Sequence, residues 1–446
     1  VIAGRAPAAG RQPARVAIVG GGWAGLACAV RATEAGHAVT VFEATRTWGG
    51  RARRVETNEG TLDNGQHILI GAYSASLALM RTVGVDPDAA LLRMPLTLRF
   101  ADGGGVALPA APPSLALLAG IWGARGWDWR DKSTLLAWAL RWRVAGFRCA
   151  PQATVADLAR SLTPRVRAQL IEPLCVSALN TPLDRASGEV FLRVLRDALL
   201  GGRGSADLLL PRVDLGAMLP DAAAAWLAGH GAVLEPGLRV RSLARVAARW
   251  QIDGNAFDAV VLATPPWETA RLVREASGME ERAAADWAAC AQTLQYEGIA
   301  TVYADGAPAL PGGLPLMALH GSGAAPAQFV FDRGMLGGPR GLAAFVISAT
   351  DAPAATLQRQ VLAQAREQLG WEGLRPVRTI VERRATFACV PGLRRPWAGI
   401  APGLWACGDY VDGPYPATLE GAARCADQVA AALATSPRPG AATPSP

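Results

Sequence analysis

The sequence predicts an α/β fold centred on a parallel sheet, with a second unit beside it. Three observations carry this. A glycine-bounded apolar run, Val16-Ala17-Ile18-Val19, is followed within about thirty residues by a helical pattern and a second apolar run, Val39-Thr40-Val41-Phe42. That is the strand, helix, strand order of a parallel pair. Two further buried-strand patterns, Phe257 to Ala263 and Leu404 to Cys407, repeat the theme far down the chain. Finally, the 446 residues are 51% apolar and 18% charged, whereas average soluble domains are about 25% charged and most often about 100–150 residues long. A single small binding module and a globally disordered chain are both excluded.

Taken in order, the first strand runs into Gly20-Gly21-Gly22-Trp23-Ala24-Gly25, a G-x-G-x-x-G turn in a Rossmann-like context. Gly20 makes the tight turn, Gly22 lets a pyrophosphate approach the backbone, and Gly25 lets helix and strand pack closely. The helix amino terminus then faces the anion. Leu26, Ala29, Val30 and Thr33 form one face of that helix, and Gly36 ends it. Glu43 closes the second strand, where a carboxylate accepts hydrogen bonds from ribose hydroxyls and repels a 2′-phosphate. Gly49-Gly50-Arg51-Ala52 is a second glycine turn carrying a fixed cation. A guanidinium there serves a dinucleotide's phosphates, which a nicotinamide dehydrogenase does not need at this place, so the pattern favours FAD over NAD.

Downstream, Leu238-Arg239-Val240 and Arg249-Trp250-Gln251-Ile252 read as alternating strands around the hairpin signal Asp253-Gly254-Asn255. Phe257 to Ala263 reads as one buried strand ending at Thr264-Pro265-Pro266. The strand Leu404-Trp405-Ala406-Cys407 delivers Gly408-Asp409 to its carboxyl end, where an acid can bind a polyol hydroxyl. A helix with Leu419, Ala422, Ala423, Ala426, Val429 and Leu433 on one face follows. Its start, around Thr418 and Leu419, offers free backbone N–H groups to the electron-rich edge of a reduced flavin.

Composition removes several function classes. The net charge of +7 comes from 43 Arg and one Lys, Lys132, spread along the chain rather than gathered into a nucleic-acid-binding tract. The seven Cys lack any C-x-x-C pair and read as buried, reduced thiols, while the four His never fall at metal-ligand spacing, so no metal is expected. No long uncharged apolar stretch reads as a spanning helix. Residues 1–13 and 435–446 read as disordered ends. Between Trp122 and Arg148 five Trp stand among six cations and only two acids, a pattern that suits the headgroup layer of an anionic membrane as well as helices with Trp facing a core.

The dinucleotide turn, the glycine-Arg turn and the distant strand segments together resemble the amine oxidase and phytoene desaturase superfamily of FAD enzymes. More specific runs resemble its hydroxysqualene dehydroxylase family. They are Leu62-Asp63-Asn64-Gly65-Gln66-His67, Glu172-Pro173-Leu174 with Ala178-Leu179-Asn180-Thr181-Pro182, Leu210-Pro211-Arg212-Val213-Asp214-Leu215, Arg384-Ala385-Thr386-Phe387, and Pro416-Ala417-Thr418-Leu419-Glu420-Gly421-Ala422. Cys425-Ala426 departs from an expected Ser-Gly, and Cys407-Gly408 from a more usual second small residue. The resemblance implies that Gly20, Gly22, Gly25, Glu43, Gly50, Arg51, Gly65, Val240, Gly408, Asp409, Thr418 and Leu419 surround a non-covalent FAD, with Val240 acting through its backbone on the adenine. It implies a Rossmann-like FAD-binding domain made of residues 14–74, 216–289 and 386–434. A discontinuous α+β substrate domain, residues 75–215 and 290–385, is expected to contain a mixed sheet with helical insertions.

Superfamily amine oxidases place a lysine near the flavin, but the only lysine here lies in Arg130-Asp131-Lys132-Ser133, inside a helical insertion. That weighs against amine oxidation. The dehydroxylase resemblance implies that an acid protonates an allylic hydroxyl and that reduced FAD delivers hydride to hydroxysqualene, giving squalene for hopanoid synthesis. Two residues are candidates for the acid. His67 follows a turn the resemblance places near the flavin, and Glu172 lies in an apolar run where burial would raise its pKa. A backbone-bonded structural His and a helix-end Glu remain the alternatives, and Asp63 reads as a turn former. The competing functions are a desaturase of a carotenoid-type chain and a non-catalytic prenyl-lipid carrier; intact Glu43, Arg51 and Asp409 weigh against the carrier. The implied partners are a long-chain triterpene and an electron donor to FAD, such as NADPH directly or through a reductase. The implied location is cytoplasmic, peripheral on the inner membrane face.

Overall fold

The computed structural model describes residues 13–435; the disorder expected of the ends falls almost wholly outside them. Its larger sheet has six strands in the order β3-β2-β1-β4-β6-β5, where β1 is Arg15–Val19, β2 Ala38–Glu43, β3 Val233–Pro236, β4 Ala259–Leu262, β5 Gly399–Ala401 and β6 Leu404–Ala406. β1 pairs in parallel with β2 and β4, with Val16 opposite Val39 and Ala259. β4 pairs in parallel with β6, and only β5 runs antiparallel. Val16, Ala17 and Ile18 are wholly buried, as expected of an unbroken apolar run in a sheet covered on both faces. Helix α1, Trp23–Glu34, joins β1 to β2 and packs against the carboxyl-terminal helix Leu419–Thr435.

Three details depart from the sequence reading. Asp253 and Gly254 both have positive φ, 46° and 84°, and close a tight hairpin between Arg249–Ile252 and Asn255–Phe257. The third strand of that small sheet is Leu243–Val246 rather than Leu238-Arg239-Val240, which is not in a strand. The run from Phe257 to Ala263 is also divided at Asp258, whose carboxylate accepts a hydrogen bond from the Arg15 backbone N–H and pairs with Arg249. A charge held at the start of β4 interrupts the run there. Five of the seven thiols are buried, but Cys149 and Cys290 are half-exposed.

The second large sheet is antiparallel throughout, not mixed: Leu316–Ala318, Phe329–Asp332, Ala343–Ser348, Tyr296–Asp305 and Arg375–Phe387, in that spatial order. Alternation divides its residues between two cores. Val330, Phe345 and Ile347 pack beneath helix Ala354–Leu369, whereas Ile299, Phe329, Phe331 and Val346 look into the molecule's main cavity. Among its helical insertions are α2, Pro113–Trp122; α3, Trp129–Val144; and α4, Glu172–Leu179. α4 is entered through a widened π-type turn, Arg167–Ile171. Pro173 lacks an N–H and its ring crowds the carbonyl four residues earlier, which disfavours a regular α-turn just there.

Candidate active site

A cavity of about 760 Å³ lies between the carboxyl ends of the parallel strands and the apolar face of the antiparallel sheet. β1 leads into it through Gly20, β2 through Glu43, β4 through Ala263 and Thr264, and β6 through Cys407 and Gly408. This is where ligands of open parallel sheets bind. The glycine geometry leaves little choice of residue. Gly20 has φ +113° and a Cβ there would stand 2.5 Å from the Ala263 carbonyl oxygen, while a Cβ on Gly25 would stand 1.8 Å from the Gly20 oxygen. Gly25 therefore works behind the cavity, seating the helix on the strand. Gly22 and Gly50 face each other across its floor, and nothing lies within 4 Å of a Cβ built on Gly65.

The polar groups at the floor suit an adenine dinucleotide. No side chain caps the amino terminus of α1, which leaves its first N–H groups for an anion. The buried Trp23 indole Nε1–H on the cavity wall has no protein partner. Glu43 is held in place, one oxygen accepting from the Gly21 N–H at 2.7 Å and the other from the Thr45 N–H at 2.8 Å and hydroxyl at 2.9 Å. Of its four lone-pair sites, these three bonds leave one for a ribose hydroxyl. Buried Val240 lines the same end.

At the other end Arg51 and Asp409 meet. Arg51 donates to the Asp409 carboxylate at 2.6 Å and to the Ala385 carbonyl at 2.6 Å. The fixed cation of the glycine turn is thus engaged with the acid at the end of β6, and both groups face the cavity together. Ala417 adopts φ 58°, and the Thr418 hydroxyl accepts from the Gly421 N–H at 3.0 Å, so Thr418 opens the carboxyl-terminal helix and turns its first N–H groups toward the cavity beside Leu419. Apart from Gly25, every residue expected at the cofactor borders this cavity.

The two acid candidates separate. His67 lines the cavity, with Nδ1 3.2 Å from the Gly65 carbonyl. Burial, assisted by the Arg51 charge, holds its pKa below the usual 6.5, and the Gly65 carbonyl opposes that shift. Glu172 sits at the start of α4, and although partial burial raises its pKa, its side chain is exposed and outside the cavity; only Val176–Asn180 of that segment reach it. Its expected proton-donor role therefore has no geometric support. Lys132 is likewise away from the cavity.

Asp63 forms no turn. It ends strand Gly60–Asp63, is 4% exposed, accepts from the Leu215 N–H at 2.8 Å and pairs with Arg333 at 3.5 Å. Burial pushes its carboxyl up to about 6. Arg333 also donates to the Gln66 Oε1 at 3.0 Å, and Gln66 Nε2 donates to the Tyr303 hydroxyl at 2.8 Å. The cavity-lining Gln66 amide is fixed from both sides. Sequence reasoning gave Gln66, Asn180 and Arg384 no role, although all three lie in the quoted family runs, and nothing in the sequence marked Glu382, which reaches the cavity beside Asn64. Arg384 lies 4.4 Å from the Trp267 ring centroid and 5.8 Å from that of Tyr296, a cation held on aromatic faces at the cavity rim. Among the described residues, no helix is long and apolar enough to cross a membrane.

Comparison with known proteins agrees with this layout. Residues 18–83 match the NAD(P)-binding Rossmann-like domain model. A hydroxysqualene dehydroxylase from Rhodopseudomonas palustris is 28% identical over 93% of this chain and 97% of its own length. One from Sinorhizobium fredii is 26% identical over 94% of this chain and 98% of its own. Similarity to a zeta-carotene desaturase from Synechocystis, 37% identical, is confined to 20% of this chain and 18% of that protein. Putrescine oxidase superposes with a TM-score of 0.66 at 16% identity, over 95% of this chain and 99% of the other. In sequence the chain is similar over nearly its whole length to hydroxysqualene dehydroxylases, and in fold it matches putrescine oxidase.

Proposed function

We propose that this chain is an FAD-dependent oxidoreductase that removes the hydroxyl group of hydroxysqualene reductively, giving squalene. The observation that carries the reading is the joining of a dinucleotide cradle to an apolar wall, Ile68, Ile299, Phe329, Phe331 and Val346, in one cavity without a lysine, within a chain similar over its whole length to dehydroxylases. Reduced FAD supplies a hydride when bound. Glu43 would hold the adenosine ribose, the first turn of α1 the pyrophosphate, and the Arg51–Asp409 pair with the Thr418–Leu419 N–H groups the flavin end. The apolar wall excludes water and accepts the prenyl chain. His67 is the proton carrier: when its Nδ1–H donates to the Gly65 carbonyl, Nε2 gains and gives the exchangeable proton, and the lowered pKa makes the imidazolium a stronger acid than usual.

The chain divides into an FAD domain, residues 14–74, 216–289 and 386–434, and a substrate domain, residues 75–215 and 290–385; that each large sheet lies almost wholly within one of them supports this division. Electrons reach the enzyme from a reductant of the NADPH class, directly or through a reductase. Substrate and product belong to a membrane, so the enzyme works at the cytoplasmic face of one. The test is anaerobic incubation of the FAD-loaded protein with reductant and hydroxysqualene. Squalene is the expected product. Hydroxysqualene left unreacted while an added carotenoid-type chain is converted to a more unsaturated polyene would make the chain a desaturase, and colourless protein that binds squalene without flavin would make it a carrier.

A further inference from the structure

Helices α2 and α3 carry apolar side chains on the side away from the core. At the roughly 100° per residue of an α-helix, Asp131, Leu135, Trp138 and Trp142 of α3 gather on one side, and all four are buried. Trp129, Leu136, Leu140 and Val144 gather on the opposite side and are 80%, 46%, 60% and 80% exposed. Arg130 and Arg141 stand along one flank of this outer ridge and Lys132 and Arg143 along the other, each roughly 55–105° around the helix from its centre. α2 repeats the pattern: Leu115, Leu118 and Trp122, spaced for one helical face, are 58%, 49% and 81% exposed.

The two ridges are tied together. Lys132 Nζ donates to the Trp122 carbonyl at 2.8 Å and lies 5.8 Å from the Trp122 ring centroid, which sets the end of α2 beside the first turn of α3. The acids are withdrawn from this face. Asp131 is 3% exposed and bonded to Thr163 and Arg165, and Asp128 caps α3. Of the five Trp in the segment, Trp127, Trp138 and Trp142 are core residues, so core packing accounts for those three but not for the exposed rings of Trp122 and Trp129.

From this we infer that α2 and α3 together lay their outer ridge into the headgroup layer of an anionic lipid bilayer. A convex apolar ridge with Trp at one end and cations on both flanks matches an interfacial helix, whose rings settle at headgroup depth while long basic side chains reach lipid phosphates. The Asp131–Arg165 contact joins α3 to the turn that leads through the π-type segment into α4, and the end of α4 lines the cavity. Surface and cavity are thus two ends of one helical stretch. The dehydroxylase reading explains why such a surface is useful, but the docking itself rests on the ridge alone.

The test uses the FAD-loaded full chain and phosphatidylcholine vesicles with or without phosphatidylglycerol. The parent is expected to co-sediment with the anionic vesicles, to release at high salt, and to lose tryptophan emission when the acyl chains are brominated. W122S/W129S should weaken binding at least about tenfold, and R130Q/R141Q about fivefold per charge. W397S, which removes a half-exposed ring elsewhere, should bind as the parent does. Equal binding by W122S/W129S and parent would overturn the proposal, as would a parent that ignores anionic vesicles. A parent dimer that the Trp pair of substitutions dissolves, with no vesicle binding, would assign the ridge to a second copy and also overturn it. The brominated-lipid arm needs no variant. Turnover of detergent-solubilised hydroxysqualene, read on the same preparations, separates the two readings: a parent that binds vesicles but makes no squalene leaves the docking standing and removes the dehydroxylase assignment.

Discussion

Glu43 illustrates how much one residue can reveal when its role is local. Its distance from the glycine turn, its place at a strand end and its sign were all readable in the sequence, and the structure holds its carboxylate by the Gly21 and Thr45 N–H groups. Glu43→Ala should weaken FAD binding by about 1–3 kcal/mol, the loss of hydrogen bonds to a charged acceptor, measured by titration of the flavin-free protein. The place of His67 near the site was readable but its protonation was not, because burial beside Arg51 is a property of the fold. Since its pKa is lowered, the imidazolium fraction grows only as pH falls below about 6.5. The parent's turnover should therefore climb toward acid pH, and His67→Gln should be slower by about 10²–10⁴ and lose that limb, with flavin content unchanged. Asp63 was misread as a turn because its partner Arg333 lies far along the chain. Its carboxyl titrates at 3.8 when free and at about 6 when folded, so the folded state holds the extra proton and loses stability as pH rises through that window, by up to about 3 kcal/mol. Urea unfolding of parent and Asp63→Asn across it should show the difference moving in favour of Asn; a constant difference would place the Asp63 pKa near its free value.

At the scale of elements, runs with a strong period were legible and their junctions were not. The Rossmann-like strands and the carboxyl-terminal helix stand where apolar spacing placed them. The segment around residues 238–246 did not, because Leu238-Arg239-Val240 alternates like a strand but is held at the cavity, leaving the next residues to pair. Asn180 shows the same limit at a helix end. It closes α4 in the left-handed region with φ 44°, accepts from the Ala349 N–H at 2.8 Å and donates to the Thr386 hydroxyl at 2.9 Å. Those contacts tie the insertion to one strand of the antiparallel sheet and to the residue that follows another, a fact invisible in any window of sequence. Asn180→Gly should cost about 1–3 kcal/mol through the lost bonds. Asn180→Ala should cost about 1 kcal/mol more through backbone strain, so the order of the two denaturant midpoints checks the argument.

On the scale of the whole molecule, two sheets of opposite character enclose one cavity, the parallel sheet supplying polar ends and the antiparallel one an apolar face. No cysteine lines the cavity except Cys407, which is wholly buried with its Sγ donating to the Ala24 carbonyl, so the flavin should be held without a covalent bond. Acid precipitation should leave all the yellow colour in the supernatant, and flavin on a proteolytic peptide would contradict this.

The Arg51–Asp409 pair joins residues 358 positions apart, and β1 is flanked by a strand from the middle of the chain that in turn needs β6 from near its end. During translation the amino-terminal glycine turn therefore emerges long before the residues that complete its pocket. Until the last tenth of the described chain leaves the ribosome, β4 lacks its partner β6, and an apolar strand edge of this kind is open to pairing with other chains. A product truncated before β6 and the carboxyl-terminal helix lacks Asp409, Thr418 and Leu419, and it should not retain flavin through gel filtration.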